Sequence, residues 1–173
     1  MQMMYVMAFL VTLIVLSLSV GRDAAAVVEE DSKAVAGHMA TWHGTAQKHC
    51  AANACAGGIL DVRPRLQPML RNAPAFAQTR FVTRVDNVNR MVVTYMDSAF
   101  AARGSVAYGG VAAALVDLAG INPESSAFGV WRASSRRVEF SAPPSRGSTY
   151  LSLPSPFMGG TIPDGSPVIV GRL

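Results

Sequence analysis

Three patterns of apolar and polar positions succeed one another along the chain. From Met3 to Val20 the only polar side chains are Thr12, Ser17 and Ser19, and none is charged. As a helix rising 1.5 Å per residue this run reaches about 27 Å, close to the hydrocarbon thickness of a bilayer. A helix also satisfies its own backbone in lipid. The pattern predicts an uncleaved membrane anchor over 1–21. Two other readings stay open: a secretory signal, with small-residue sites at Ser17-Leu18-Ser19 and Ala24-Ala25-Ala26, and a prepilin-type leader. Against both, no basic residue precedes the apolar run and no acid appears before Asp23.

Beyond Gly21 the period becomes that of an amphipathic helix. Val28, Ser32, Val35, Met39, Trp42, Ala46 and His49 recur at alternating spacings of four and three, with Glu29, Glu30 and Lys33 on other faces. Such spacing marks one helical face. It predicts a stalk helix continuing the membrane helix, with Val28, Val35, Met39 and Trp42 as the seam packed on the rest of the protein. A short coiled coil with another chain is the alternative, but Ser32, Ala46 and His49 would make a poor coiled-coil core. Asn53 and Gly57-Gly58 end the helix, so stalk and end turn occupy 22–58.

The remainder, 59–173, carries strand signals. Pro64, Pro68 and Pro74 keep the first part irregular, with a short helix over 68–72. Arg80–Val85 and Arg90–Met96 are rich in β-branched and aromatic residues and flank the turn residues Asp86-Asn87-Val88-Asn89, a hairpin signature. Tyr108–Ala119 reads as an apolar helix closed by Gly120 and Asn122-Pro123. Phe128–Arg132 and Arg137–Phe140 form a second hairpin around Ser134-Ser135, and Pro167–Arg172 a last strand. The Pro/Gly/Ser-rich stretch 142–167 reads as a wrapping loop or contact surface. The expected fold is therefore α+β: an N-terminal transmembrane helix continuing into a long stalk helix, then an antiparallel sheet with one or two helices packed on it.

Composition alters this picture little. The chain has 173 residues, and its 15 basic against 11 acidic side chains give a net charge of +4. The basic residues are dispersed, with no stripe of the kind nucleic acid requires, so no nucleic-acid partner is expected. The two cysteines, Cys50 and Cys55, flank the end of the predicted stalk helix. As two helical residues they would stand about 7.5 Å apart along the axis, too far for a disulfide; a turn at Asn53 closes that gap. Their even number in a segment exported across a membrane favours pairing over two free thiols.

His38, His43 and His49 lie near these cysteines, yet no two of them share the i, i+4 spacing of helical metal ligands, and C-x-x-C is missing. A packing or surface role is the simpler reading, and no metal or cofactor is expected. All three histidines lie on the stalk, away from the serines of the body, and the acids of the body form no close pair. Glu139 reads as a cross-strand partner of Arg132 or Arg136. No enzyme is predicted.

The apolar span Met3–Val20, the polar helix without a prepilin signature, the α+β body and the closing segment Gly159-Gly160-Thr161-Ile162-Pro163-Asp164-Gly165-Ser166-Pro167-Val168-Ile169-Val170 together resemble the small PilM proteins of plasmid-type and enterobacterial type IVb thin-pilus systems. The resemblance implies a non-enzymatic, single-pass inner-membrane protein of pilus biogenesis and conjugation, with the membrane and other pilus assembly proteins or pilins as partners; the short N-terminal side of the span and the cysteine pair favour a periplasmic body. It supplies no catalytic residue. A pilin-like minor subunit incorporated in the fibre is the alternative.

Overall fold

The computed structural model describes residues 31–72, 81–97, 108–119, 126–140, 150–153 and 162–173. The predicted span Met3–Val20 and the seam residue Val28 lie outside them. Helix α1 is described from 31 to 52. It is followed by strand β1 (Gly58–Leu60), a 3-10 turn at Arg63–Arg65 and the short helix α2 (Pro68–Arg71). The first hairpin is β2 (Phe81–Asp86) and β3 (Met91–Met96); then come helix α3 (Tyr108–Ala119), the second hairpin β4 (Ser126–Arg132) and β5 (Arg137–Phe140), β6 (Tyr150–Ser152) and β7 (Pro167–Arg172).

All seven strands join one sheet in the order β1-β2-β3-β7-β4-β5-β6, with every neighbouring pair antiparallel. The last strand of the chain is thus inserted between the two hairpins. Val93 pairs with Val170 on one side of it and Phe128 with Ile169 on the other. Strand alternation sends side chains to two faces. On one face Phe81, Val85, Val92, Met96 and Ile169 meet Val35, Met39 and Trp42 of α1 and Val111, Ala114 and Leu115 of α3. On the reverse face Val93, Tyr95, Trp131, Val138, Val168 and Val170 form a second cluster with Leu153 and Ile162.

This architecture corrects the expected fold. Helix α1 is no stalk: Met39 is fully buried and Trp42 only 3% exposed, and the Trp42 ring stands edge-on to Phe81 of β2, 6.0 Å between centroids. No helix among the described residues is long and apolar enough to cross a membrane, so the expected transmembrane helix running into a stalk is not part of the architecture found. The physical reason is the composition of the buried stripe. Half of it is Ser32, Ala36, His43 and Ala46, all buried; Ser32 and Ala46 lie on the expected seam, but Ala36 and His43 do not, so the helix is embedded over a wider face than a stalk's seam. Close approach makes small residues worth burying. At Gly110 of α3 a Cβ would lie 2.6 Å from Ser32 Oγ, and at Gly171 of β7 one would lie 2.7 Å from His43 Nε2.

Candidate functional site

Among the described residues, polar chemistry is concentrated in a ladder under α1, the disulfide at its end, and the outer end of the sheet.

The ladder begins at Trp42, whose indole Nε1–H donates to Thr83 Oγ1 at 3.0 Å. Thr83 and Thr94 hydroxyls lie 2.9 Å apart, and Thr94 Oγ1 is 3.0 Å from His43 Nδ1. The two threonines face each other in the β2–β3 register, so each can bridge to a helix side chain one α1 residue apart. Nearby, Gln47 Nε2 donates to the Arg172 carbonyl at 2.8 Å. His43 Nε2 is buried with no hydrogen-bond partner among the described residues. With no counter-charge beside it, burial lowers the His43 pKa from 6.5 to about 4, so the ring is neutral at physiological pH. Its contact with Thr94 ties helix α1 to strand β3 in the interior.

Cys50 and Cys55 are joined by a disulfide with their Cα atoms 5.1 Å apart. The turn that allows this is built at Asn53, whose N–H and side-chain amide both donate to the His49 carbonyl, at 2.9 and 3.0 Å. Those bonds satisfy an orphan carbonyl of the last helical turn. The clip leads directly into β1. The remaining seam residues Val35, Met39 and Trp42 come together in the helix-side core. Among the described residues, no three His, Cys, Asp or Glu side chains converge to hold a metal ion.

The outer end of the sheet is open. Across β4, β5 and β6 the register aligns Arg132, Arg137 and Ser152 in one row and Val130, Glu139 and Tyr150 in the next. These rows share the face that α1 and α3 cover elsewhere, yet Arg132, Arg137, Glu139, Tyr150 and Ser152 are exposed. Their neighbours on the reverse face, Trp131 and Val138, are buried. Two diagonal contacts order the open face: Arg132 Nε donates to Glu139 Oε2 at 2.8 Å, and the Arg137 guanidinium sits 4.1 Å from the centre of the Tyr150 ring.

The ladder was missed by the sequence reading: Thr83 and Thr94 are equidistant from the middle of the observed turn 87–90, whereas the predicted Asp86–Asn89 turn, one residue earlier, would have set Thr83 opposite Val92. The Arg137–Tyr150 stack gave none, because the pairing of β5 with β6 spans a long Pro/Gly/Ser-rich segment.

Comparison with family models, with curated proteins and with solved structures finds no match to this chain.

Proposed function

We propose that the protein is a non-enzymatic, inner-membrane-anchored component of a type IVb thin-pilus assembly apparatus, acting through contacts with pilins or other assembly subunits. The observation that carries this reading is the sequence resemblance extending from the uncharged run Met3–Val20 to the closing Gly159–Val170 segment. The uncharged run supports a membrane address. The Cys50–Cys55 disulfide supports a body lying in an oxidising compartment, as the periplasm is. The two sheet edges, β1 and β6, suit protein contact.

Deletion of the gene from a strain that makes such pili is the direct test. Loss of surface pili with unchanged pilin levels, restored by the wild-type gene, is the expected result. Normal piliation in the deletion strain would overturn the reading. A second reading, a minor subunit that enters the fibre itself, is favoured by the fusion of α1 to the core of the body rather than to a separate stalk. Shearing separates the two: a machine component stays with the inner-membrane fraction, and a subunit leaves with the fibres.

A further inference from the structure

The open end of the sheet is incomplete in both its hydrogen bonding and its charge. Strand β6, Tyr150–Ser152, is the last strand of the sheet at this end, and among the described residues no strand pairs with its outer side, the arrangement of an edge that can take a further strand. The charges beside it are unevenly committed. Glu139 is used by Arg132, and Asp164 accepts a hydrogen bond from the Ala133 N–H at 2.8 Å. Arg136 and Arg137 pair with no carboxylate among the described residues. Arg132 and Arg137 also stand directly opposite each other, an unfavourable like-charge pair that a further carboxylate in the same row would relieve.

We propose that β6 and its open face form a docking site for an extended acidic segment of another protein, which joins the sheet as an eighth strand. Residues of an incoming strand fall beside Ser152 and Tyr150, two positions apart and on the same face. The position beside Ser152 continues the Arg132–Arg137 row and takes a carboxylate. The position beside Tyr150 takes an apolar or aromatic side chain packed against the ring that Arg137 already covers. Main-chain hydrogen bonds supply affinity in such strand addition, and the alternate side chains supply selectivity. An exposed Tyr beside a stacked Arg is the composition of an interface anchor.

A second copy of this chain is the less suitable occupant. Antiparallel pairing of two β6 strands would place Tyr150 of each copy beside Ser152 of the other, setting an uncharged ring where the row calls for a carboxylate; the next carboxylate in that row, Glu139 of the second copy, is already used by its own Arg132. The opposite edge is also less suitable: Gly58 of β1 has a positive φ of 118°, and the disulfide ring directly precedes it. The proposal is read from β4–β6 alone and does not depend on the pilus assignment.

The test uses the full chain in detergent micelles and two fluorescent peptides, Thr-Val-Thr-Glu-Thr-Val-Thr-Glu-Thr and the same sequence with Lys in place of Glu. The Glu peptide is expected to bind saturably with a Kd below about 1 mM and to raise amide-exchange protection over 150–152. The Lys peptide, and the Glu peptide against Arg137→Glu, are expected to bind at least about tenfold more weakly. Tyr150→Ser, a second exposed change, is expected to weaken binding while leaving the melting temperature unchanged. Equal binding of both peptides, absence of saturation, or protection rising at β1 instead of β6 would overturn the proposal. So would self-association of the wild type that Arg137→Glu abolishes.

Discussion

The two hairpins share one local design and differ in everything around it. Each turns over four residues, and each turn ends on an arginine in the left-handed region, Arg90 and Arg136, both with φ 53°. The first turn is held by its own strand end. Asp86 Oδ1 accepts the N–H groups of Val88 and Asn89 at 2.9 and 3.0 Å, and its Oδ2 accepts the Asn89 side-chain amide. Burial pushes the Asp86 carboxyl up, but the hydrogen bonds from Asn89 and Val88 more than offset this and hold it below the usual range. The second turn is held from a distance, by Asp164 just before β7. The first hairpin lies beneath α1; the second runs out past the helices and keeps one face open. Similar local instructions thus give a core element in one case and a surface in the other, and the deciding factor is which side of β7 each hairpin joins.

The sharpest way to break this comparison is to remove the side chain that couples α1 to the first hairpin. Trp42→Ala deletes a buried ring against Phe81 and leaves Thr83 without its indole donor. The expected loss is about 3–5 kcal/mol of unfolding free energy in a denaturant titration. In native-state hydrogen exchange the amides of β2 and β3 should lose protection before those of β4 and β5. Equal loss across both hairpins would mean that the sheet unfolds as one unit and that the difference in environment has no energetic consequence.

Acid probes the same contact by another route. His43 has a folded pKa of about 4 against an ordinary 6.5, so between these values the unfolded chain binds a proton that the folded one does not. Stability is therefore full above about pH 6.5, falls as pH drops towards 4, and stops changing on this account below that. The displacement corresponds to about 3 kcal/mol. The groups facing the ring from the sheet are Thr94 and Gly171, and Gln47 lies beside it on α1; none of them titrates. Asp86 acts separately and lower: with its folded pKa depressed, its contribution is present above the usual carboxylate range and lost below it. His43→Gln should flatten the slope between pH 6.5 and 4 whatever it does to absolute stability, and a wild-type profile already flat there would show that the ring is not held neutral.

What the sequence disclosed about these regions follows from the range of the interactions concerned. Both hairpins and the helix Tyr108–Ala119 were legible because β-branched runs, turn residues and terminating glycines act within a few positions of one another. The place of β7 between β3 and β4 was not, since a strand with two apolar faces states that it is central without naming its neighbours. The membership of α1 in the core was half legible. Val35, Met39 and Trp42 marked the face, but Ser32, Ala36 and His43 disguised its depth. The burial of Ser32 and His43 is intelligible once Gly110 and Gly171 are seen opposite them; Gly109-Gly110 suggested close packing from sequence without naming the helix packed there, and Gly171 read as a strand-end residue. The open face at β4–β6 was the least legible. The Arg132–Glu139 pairing was within reach as a cross-strand guess, whereas the Arg137–Tyr150 stack depends on where the chain returns.

The disulfide gives a smaller and more local test. Cys50 and Cys55 close a short loop, for which chain-entropy reasoning gives about 2 kcal/mol. Reduction should lower the unfolding free energy by about that amount and should loosen β1, which follows the loop, more than β6 at the other edge. A loss of protection shared equally by both edges would mean that the clip supports the whole fold rather than one end of it.

The smallest effect is expected where the second hairpin meets solvent. Arg132 and Glu139 have side chains 48% and 52% exposed, so the ion pair is screened by solvent and Arg132→Ala should leave the denaturation midpoint almost unchanged. The register makes even that small effect an upper bound. Removing Arg132 also removes its like-charge contact with Arg137 directly opposite, a change of opposite sign. A double-mutant cycle across Arg132 and Glu139 separates the two terms, because only the diagonal attraction appears in its coupling energy. A coupling well outside the range of exposed ion pairs would show that this face is held as firmly as the first hairpin. A small coupling with unchanged stability is what a surface kept for another chain requires, since its charges are arranged there without being needed to hold the fold.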